Sequence, residues 1–383
     1  MPGYEVIGEE EKKALNEIFD ESNGVLYRYG FDKIRNNRYR VSEFEEEVKK
    51  VTHARFAHAT SSGTSALIAS LLALDVKPGD EVITQSHTFI ATVEAILAVG
   101  ATPVIANIDE TLNMDPESFE ELITENTKVV IPVHMSGCAA DLTTIEAIAR
   151  RNDIKILEDN AQSFGGVIGN NYLGTYGDVG ILSFDPGKPI TTGEGGMVLT
   201  NNEEIYKRVR AISDHGHKYL EGIPRGEDTA RCLGYNFKMN ELQGAVGLAQ
   251  IKKLGNILHA QRENKRKILQ GISSIPNIEF RKIINPEGDI SDSVSFMLKD
   301  EKTADEFVKK WTEAGFGTKN LPDALNWHFA GLWFHLDMGL PLDNLEPSYN
   351  ILKRTVSIPV NVKMDDKKIT EIILKISEIT KNL

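Results

Sequence analysis

The feature that most constrains this 383-residue chain is an alternation, between about residues 60 and 200, of short apolar runs with helical periods. Each run is about strand length, is rich in Val and Ile, and ends at polar or turn residues. Strands that are apolar throughout and separated by helices predict a mostly parallel sheet covered on both faces. Ligands usually bind at the carboxyl ends of such strands. The runs are GDEVITQ (79–85), TPVIANID (102–109), KVVIPVH (128–134), IKILED (154–159), VGILSFD (179–185) and GMVLTNN (196–202), and helical stretches start at Thr64, Thr88 and Leu142.

The second part of the chain follows a different pattern. A long helix is predicted to start near Asn240, and beyond about residue 256 the helix and strand patterns are shorter and the apolar runs less continuous. We therefore predict an α/β fold with a large domain over 1–255 and a smaller C-terminal α+β domain over 256–383. The last helix is expected around Asp366 to Lys381. A segment rich in Pro, Gly and Asp at 284–291 predicts a surface turn.

Composition excludes several classes of function. The net charge of −13 argues against a nucleic-acid partner, because binding to a phosphate backbone needs a basic face. A small anionic substrate remains compatible, since a few local cations can hold one. The two cysteines, Cys138 and Cys232, are far apart and form no CxxC pattern. That spacing excludes a disulfide framework and a cysteine-based zinc site, and we predict no metal.

The sequence shows no targeting or membrane signal. It begins MPGYEVIGEEEKK, which is acidic and lacks the apolar core of a signal peptide. The longest apolar stretch, near Ala66 to Val76, is roughly half of the ~20 residues needed to cross a bilayer. We expect a cytoplasmic protein with no membrane partner.

The first segment that could carry chemistry is SSGTSAL (61–67). Small hydroxyl residues and Gly63 immediately precede a helix, so free backbone N–H groups and the positive end of the helix dipole face outward. That arrangement binds phosphate. A plain Ser/Thr cap of the helix explains the same residues.

The second segment is EDNAQ (158–162), at the end of an apolar strand. An acid beside a sheet is costly unless it is paired, and a pyridinium nitrogen would pair with Asp159. Gln162, three residues further on, could then reach the 3-hydroxyl of the same ring. A helix cap or a metal-binding carboxylate explains this segment equally well.

The third segment is SFDPGK (183–188), followed by GEGG (193–196). A lysine in a Gly- and Pro-rich loop directly after a buried strand could form a Schiff base, if burial and neighbouring positive charge lower its pKa. Ser183 lies where its hydroxyl could reach the same phosphate as Thr64. The alternative for Lys188 is a solvated loop lysine.

These three segments, in this order across consecutive βα units, are the parts of a pyridoxal 5′-phosphate (PLP) site. The chain resembles the DegT/DnrJ/EryC1/StrS family of sugar aminotransferases from about residue 10 to beyond residue 250, and more loosely to its end. The family has the PLP-dependent transferase fold of the aspartate-aminotransferase type (fold type I). The matching motifs are SSGTSAL (61–67), GDEVITQSHTFIAT (79–92), EDNAQSFG (158–165), SFDPGK (183–188) with GEGGM (193–197), and LGYNFKMNELQGAVGLAQ (233–250).

The resemblance implies a role for each matched position. Lys188 forms the Schiff base with the cofactor, Asp159 pairs with the pyridinium and Gln162 contacts the 3-hydroxyl. Phe89, in SHTF, stacks on the ring, whereas without the family it would equally be a core phenylalanine.

The phosphate contacts implied by the resemblance are Gly63, Thr64 and Ser183. Asn236, in GYNFKM, reaches the phosphate of the neighbouring subunit, so the family pattern implies a homodimer with a shared active site.

The chain departs from the family around the lysine. Family members often have His, Tyr or Asn where this chain has Asp185, and Thr or Asn where it has Gly187, and Pro189 is uncommon. These changes bear on the shape of the loop and the substrate pocket. Dehydratases of the family replace the lysine with histidine, so Lys188 favours transamination.

Four segments outside the core motifs are similar to family members that convert 8-oxo-3,8-dideoxy-manno-octulosonate, a lipopolysaccharide sugar, to its 8-amino form. They are MPGYE (1–5), YRYGFDKIRNNR (27–38), SDHGHKYLEGIPRGED (213–228) and LPDALNWHFAGLW (321–333). Their cationic and histidine side chains could hold a carboxylate and hydroxyls, although surface charges or structural histidines would explain them too. These candidate substrate contacts are Arg28, His215, His217, Arg225 and His328.

The expected reaction has two half-reactions with L-glutamate as amino donor, and Lys188 acts as covalent anchor and general acid–base. One alternative is an aminotransferase for a nucleotide-linked 3-keto or 4-keto 6-deoxyhexose, which would share every core residue. A second alternative, of another class, is a non-catalytic sensor that keeps the PLP fold.

Overall fold

The computed structural model of the chain describes residues 2–336, 342–381 and 383. The strands within these residues are β1 (Phe56–Thr60), β2 (Glu81–Gln85), β3 (Thr102–Ala106), β4 (Thr127–Ile131), β5 (Lys155–Asp159), β6 (Val167–Ile168), β7 (Asn171–Tyr172), β8 (Val179–Ser183), β9 (Gly196–Thr200), β10 (Glu279–Phe280), β11 (Ser293–Met297) and β12 (Thr355–Pro359).

The α-helices are α1 (Pro2–Glu5), α2 (Glu9–Ser22), α3 (Arg40–Thr52), α4 (Gly63–Ala73), α5 (Ala91–Ala98), α6 (Pro116–Glu121), α7 (Leu142–Arg151), α8 (Glu203–Ser213), α9 (Glu241–Ile251), α10 (Leu254–Ile272), α11 (Glu301–Glu313), α12 (Leu325–His328), α13 (Glu346–Leu352) and α14 (Asp366–Thr380). Short 3₁₀ turns lie at Met135–Gly137, Arg225–Glu227, Ala330–Leu332, Phe334–Leu336 and Leu342–Leu345.

The large sheet has the strand order β1-β9-β8-β5-β4-β2-β3. Neighbours from β8 to β3 are parallel, whereas β9 is antiparallel to both β8 and β1. Each of the six predicted apolar runs contains one strand of this sheet, which confirms the mostly parallel mixed α/β architecture. The sequence analysis missed β1, whose run FAHAT has a histidine at its centre; His58 is nonetheless buried at 1% exposure.

Strand direction brings the loops that matter to one edge. Because β1, β2, β5 and β8 all run in the same direction, their carboxyl ends meet along one side of the sheet. Helix α4 starts directly after β1, and Ser62 caps it by accepting the N–H of Ser65 at 3.0 Å. The helix expected at Thr88 begins at Ala91.

The helices after residue 240 refine the prediction. Asn240 is the N-cap of α9, but the expected single long helix ends at Ile251 and a second one, α10, begins at Leu254. The predicted domain boundary falls at the first residues of α10. Beyond it, β10, β11 and β12 form an antiparallel sheet that packs on α10, α11 and α14. The division at 255/256 stays a prediction.

The expected surface turn at 284–291 is only partly correct. Residues 286–288 form a turn, but Asp289 and Ile290 are buried at 2% and 0% exposure. The carboxylate of Asp289 forms an ion pair with the ammonium of Lys265, and this pairing makes its burial tolerable.

No helix among the described residues combines the length and apolarity that a bilayer crossing requires.

The packing of α14 gives a direct test of the C-terminal sheet–helix layer. Ile376 is fully buried and Leu374, two residues away on the same helix, is 63% exposed. We expect Ile376→Ala to lower the unfolding free energy by about 2–5 kcal/mol, because it leaves a cavity. Leu374→Ala, the matched control, should change it by less than about 0.5 kcal/mol. Urea unfolding of both variants measures this, and equal losses would contradict the packing.

Candidate active site

The loops after β1, β2, β5 and β8 enclose a cavity of about 240 Å³. Side chains or backbone from each of the three predicted segments line it, together with the predicted aromatic residue. The predicted residues brought together here are Gly63, Thr64, Phe89, Asp159, Gln162, Ser183 and Lys188.

Asp159 ends β5 inside the cavity and is 4% exposed. Thr92 Oγ1 donates to Oδ2 at 2.8 Å, and the N–H of Ala161 donates to Oδ1 at 3.1 Å. Burial raises the pKa of Asp159, while these two hydrogen bonds oppose the rise. A cationic ring nitrogen beside this carboxylate would offset the cost of keeping it charged.

Glu158, the adjacent acid, points to the other side of the strand, as strand alternation requires. Its Oε2 lies 3.1 Å from Nε2 of His134. Because Nδ1 of the same ring accepts the N–H of Ala140, Nε2 is the nitrogen that can donate to Glu158. Glu158 also accepts backbone N–H groups at 2.7–2.8 Å from Gly174, Tyr176 and Gly177. Glu158 therefore fixes the loop before β8. Among the described residues, no cluster of His, Cys, Asp and Glu side chains could hold a metal ion.

Lys188 lies between opposing electrostatic influences. Burial is the largest cause of its lowered pKa, and the carboxylates of Asp185 and Asp159 oppose that shift. The charge of Lys319 lowers the pKa further. The expectation of a lysine with a lowered pKa is met, although burial contributes more than neighbouring positive charge.

The loop around Lys188 explains two of the departures from the family pattern. Asp185 Oδ1 accepts the N–H of Gly187 at 2.8 Å, and its carbonyl accepts the N–H of Lys188 at 3.2 Å. A Cβ at position 187 would lie 3.1 Å from that carboxylate oxygen, closer than most Cβ contacts. The N–H of Gly3 also donates to the carbonyl of Lys188, at 3.1 Å, so the start of the chain braces this loop.

The predicted phosphate end of the cavity is compact. A Cβ on Gly63 would lie 3.0 Å from Cβ of Ser183, so glycine allows the start of α4 to approach the end of β8. Ser62 supplies the helix cap. The capping alternative thus applies to Ser62, while Gly63 and Thr64 line the cavity at the positive end of the helix.

Gln162 and Phe89 present complementary groups to the cavity. Gln162 Oε1 accepts the N–H of Ser136 at 3.0 Å, which leaves the side-chain NH₂ as the group that can donate to a ligand. Phe89 is 43% exposed, so the alternative of a core phenylalanine is wrong. Its ring centroid lies 5.5 Å from that of His328.

The candidate substrate residues divide into two groups. His328 is buried beside Phe89, its Nδ1 lies 2.9 Å from the carbonyl of Ala324, and burial lowers its pKa. His328 contacts Phe89 but is not itself part of the cavity lining, and neither are the remaining candidates, Arg28, His215, His217 and Arg225. Their role in holding the substrate stays a prediction, as does that of Asn236, which the family pattern assigns to the phosphate of the neighbouring subunit.

Three of these four residues have charged partners within the same subunit. Arg28 is 4% exposed and forms an ion pair with Glu45. Arg225 pairs with buried Asp214. His217 Nδ1 lies 3.4 Å from a carboxylate oxygen of Asp228, and His215 is exposed. Opposite charges that are remote in sequence already compensate both arginines, which no local motif could show.

Sequence reasoning missed the residues that support the site. Thr92 holds Asp159, and its hydroxyl lies 2.8 Å from that of Thr88, four residues earlier. Both threonines lie in the motif GDEVITQSHTFIAT (79–92) that was already singled out, and their hydroxyls were the signal for this pair. Glu194 and Asp185 also line the cavity.

A family model and several known proteins match most of this chain. The model of the DegT/DnrJ/EryC1/StrS aminotransferase family matches residues 20–377. The spore coat polysaccharide biosynthesis protein SpsC of Bacillus subtilis is 31% identical over 352 residues, which is 89% of this chain and 90% of that protein. GDP-perosamine synthase of Escherichia coli O157:H7 is 33% identical over 273 residues, 70% of each chain.

A solved structure extends the likeness to the fold. The PLP form of a putative sugar aminotransferase from Streptococcus pneumoniae matches with a TM-score of 0.85 at 22% identity, covering 98% of this chain and 97% of that one. The cavity fits the same cofactor. It offers a buried carboxylate for a ring nitrogen, an amide donor, an aromatic face, hydroxyls at a helix start and a lysine of lowered pKa.

The contact between Thr92 and Asp159 gives a test of this fit. Thr92→Val keeps the shape but removes a donor to a buried carboxylate, so we expect PLP to bind about tenfold more weakly, a loss of roughly 1.4 kcal/mol. Thr92→Ser, which keeps the hydroxyl, should bind nearly as the unaltered protein does. Absorbance titration of the apoprotein with PLP measures both. Equal affinity for the Val and unaltered proteins would contradict the role.

Proposed function

The chain belongs to the DegT/DnrJ/EryC1/StrS aminotransferase family and is a PLP-dependent sugar aminotransferase, and on that premise we propose that Lys188 and Asp159 carry the transfer of an amino group from L-glutamate to a sugar carbonyl. One observation supports this assignment above all. A lysine of lowered pKa and a buried carboxylate line the same cavity at the carboxyl ends of neighbouring strands.

The contacts in the cavity suggest a separate role for each of its polar residues. When bound, PLP supplies a carbonyl that takes up the amino group and a ring that accepts electrons. Lys188 Nζ would hold the cofactor covalently, and its amine, once free, would take the proton from Cα of the donor and deliver it to the carbon that carried the cofactor's carbonyl. Asp159, held by Thr92, would pair with the ring nitrogen and favour its protonated form. Gln162 would donate to the ring hydroxyl through its NH₂ group.

For the sugar, we propose 8-oxo-3,8-dideoxy-manno-octulosonate, a precursor of an aminated lipopolysaccharide sugar. The supporting features are the four sequence segments named above and the place of one of them in the structure. Segment 321–333 carries His328 to the edge of the cavity beside Phe89.

A nucleotide-linked keto sugar is the second candidate. It is favoured by the likeness to a relative named as GDP-perosamine synthase. Both candidates need the same cofactor residues, so they differ only in the groups that hold the rest of the sugar.

We also propose that the active site is completed by a second copy of the chain. The cavity lining contains the carboxylates of Asp159, Asp185 and Glu194 but only one cationic side chain, that of Lys188. A phosphate dianion therefore finds hydroxyls and a helix start but little opposite charge. Asn236 is exposed and sits beside Leu233 and Tyr235, which are 81% and 40% exposed. Such apolar exposure suits an interface between subunits.

The choice of sugar is testable by a spectroscopic titration. Enzyme whose cofactor has been aminated with L-glutamate is mixed with each candidate sugar, and the absorbance of the original cofactor form is followed. We expect the octulosonate aldehyde to restore that absorbance, and a GDP- or UDP-linked keto sugar to leave it unchanged. If only a nucleotide-linked sugar restores it, the octulosonate proposal is wrong while the aminotransferase assignment stands.

A hybrid dimer tests the shared site. Lys188→Ala should abolish transamination and the covalent link that borohydride fixes, and Asn236→Asp should impair phosphate binding by placing a carboxylate near it. Co-expressed with different tags and purified through both, the two variants would share one intact site of two per mixed dimer, so activity should return to roughly half of the unaltered level.

The control hybrid combines Lys188→Ala with Arg266→Gln, a substitution on an exposed face of α10. It should be active whether or not the two subunits share their sites, because the Arg266→Gln subunit keeps both Lys188 and Asn236. If the Lys188→Ala and Asn236→Asp hybrid gains nothing while the purified mixed dimer binds PLP, Asn236 does not act across subunits.

A further inference from the structure

A second, smaller cavity lies away from the cofactor site. It measures about 80 Å³ and is formed where the loop after β4 meets β10, β11 and helix α10. Its polar lining comes from Cys138, Lys265, Arg281, Ser293 and Ser295. With a third of the volume of the first cavity, it is too small for PLP or a sugar.

Arg281 is the unusual member of this lining. It is 6% exposed, its Nε donates to the carbonyl of Thr111 at 2.6 Å, and its Nη2 donates to Asn113 Oδ1 at 3.3 Å. Its Nη1 is buried and has no hydrogen-bond partner. No ion pair joins Arg281 to any carboxylate in residues 2–336, 342–381 and 383. A buried guanidinium without a counter-charge is costly.

The neighbouring charges leave this cost uncompensated. Asp289 is paired with Lys265, and Asp292 is paired with Lys319. Each of these carboxylates is thus paired with a lysine, and neither is paired with Arg281, whose positive charge stays in the cavity wall. Cys138 cannot supply the missing negative charge, because burial raises the pKa of its thiol to about 11.

We propose that this cavity binds one small inorganic anion, from chloride to phosphate in size, held between the guanidinium of Arg281 and the ammonium of Lys265. Such an ion would give Nη1 an acceptor and neutralise the excess charge. The hydroxyl of Ser293 lines the same space, whereas that of Ser295 already lies 2.6 Å from Ser357 Oγ.

The site has a path to the catalytic cavity. Asn113 Oδ1, which accepts from Arg281, also accepts the N–H of Met135 at 3.0 Å. The next residue, Ser136, donates its N–H to Gln162 Oε1. The anion thereby fixes the loop that orients the side chain facing the cofactor, and it does so from the junction between the large sheet and the second one.

The test is anion-dependent stability of the PLP-loaded full chain, in which the cofactor occupies the phosphate end of the first cavity and added phosphate cannot bind there. Stability is measured and not activity, so the test does not depend on the proposed reaction. Melting temperature is measured against sodium bromide and, separately, sodium phosphate, with ionic strength held constant by gluconate, which is too large for the cavity. We expect a saturable rise of several degrees with at least one of the two ions. Arg281→Gln should abolish the rise, and Arg266→Gln, on the exposed face of α10, should preserve it.

A second measurement covers the case in which Arg281→Gln fails to fold. Broadening of the ⁸¹Br NMR line by the unaltered protein, reversed by phosphate or chloride, reports site occupancy directly, and anomalous scattering from bromide-soaked crystals locates the ion. Bromide density in this cavity, together with saturable stabilisation and line broadening, supports the proposal. The order in which chloride and phosphate reverse the line broadening tells which kind of ion the site prefers. Density without saturable stabilisation or line broadening indicates an adventitious ion only and overturns the proposal. An equal rise in melting temperature for the Arg281→Gln and Arg266→Gln proteins overturns it as well.

Discussion

Asp159 carries its carboxylate at the carboxyl end of a central strand, where water reaches only 4% of the residue and burial raises its pKa. A charge in this place is tolerable only if surrounding groups donate to it. Thr92 and Ala161 do so, and Thr92 reaches Asp159 from the start of α5, which follows β2 on the far side of β4 from β5. The parallel direction of β2 and β5 brings the carboxyl ends of both strands to the same edge of the sheet, so that one strand supplies the acid and the segment after the other supplies its donor.

The strand that carries Asp159 also shows how much could be predicted from sequence. Its apolar run, the two acids after it and Gln162 were evident, because strands buried on both faces read as continuous Val and Ile. The sequence analysis assigned Asp159, and not Glu158, to the cofactor, and Asp159 is the acid that lines the cavity. Which of the two does so depends on which face of β5 is turned toward the cavity, and hence on pairing with β4 and β8. Glu158 and Asp159 are adjacent in sequence, yet one fixes a loop and the other lines the site.

The failures share a physical cause. His58 hid β1 because a polar residue broke the apolar run, and the ion pair between Arg28 and Glu45 was not foreseen because the two residues are 17 positions apart. The departures at Asp185 and Gly187 were visible but had no interpretation until the carboxylate was seen to accept the N–H of Gly187. In each instance the decisive contact joins residues whose proximity no local pattern encodes. The cofactor motifs were readable because their members follow consecutive strands.

The lining of the cofactor cavity comes entirely from positions between Ser62 and Glu194, whereas His328 reaches its edge from the far end of the chain. The groups that would hold the cofactor therefore lie on one continuous stretch of the polypeptide, and the segment that carries His328 lies outside it. Exchanging that segment would leave every residue of the cavity lining in place.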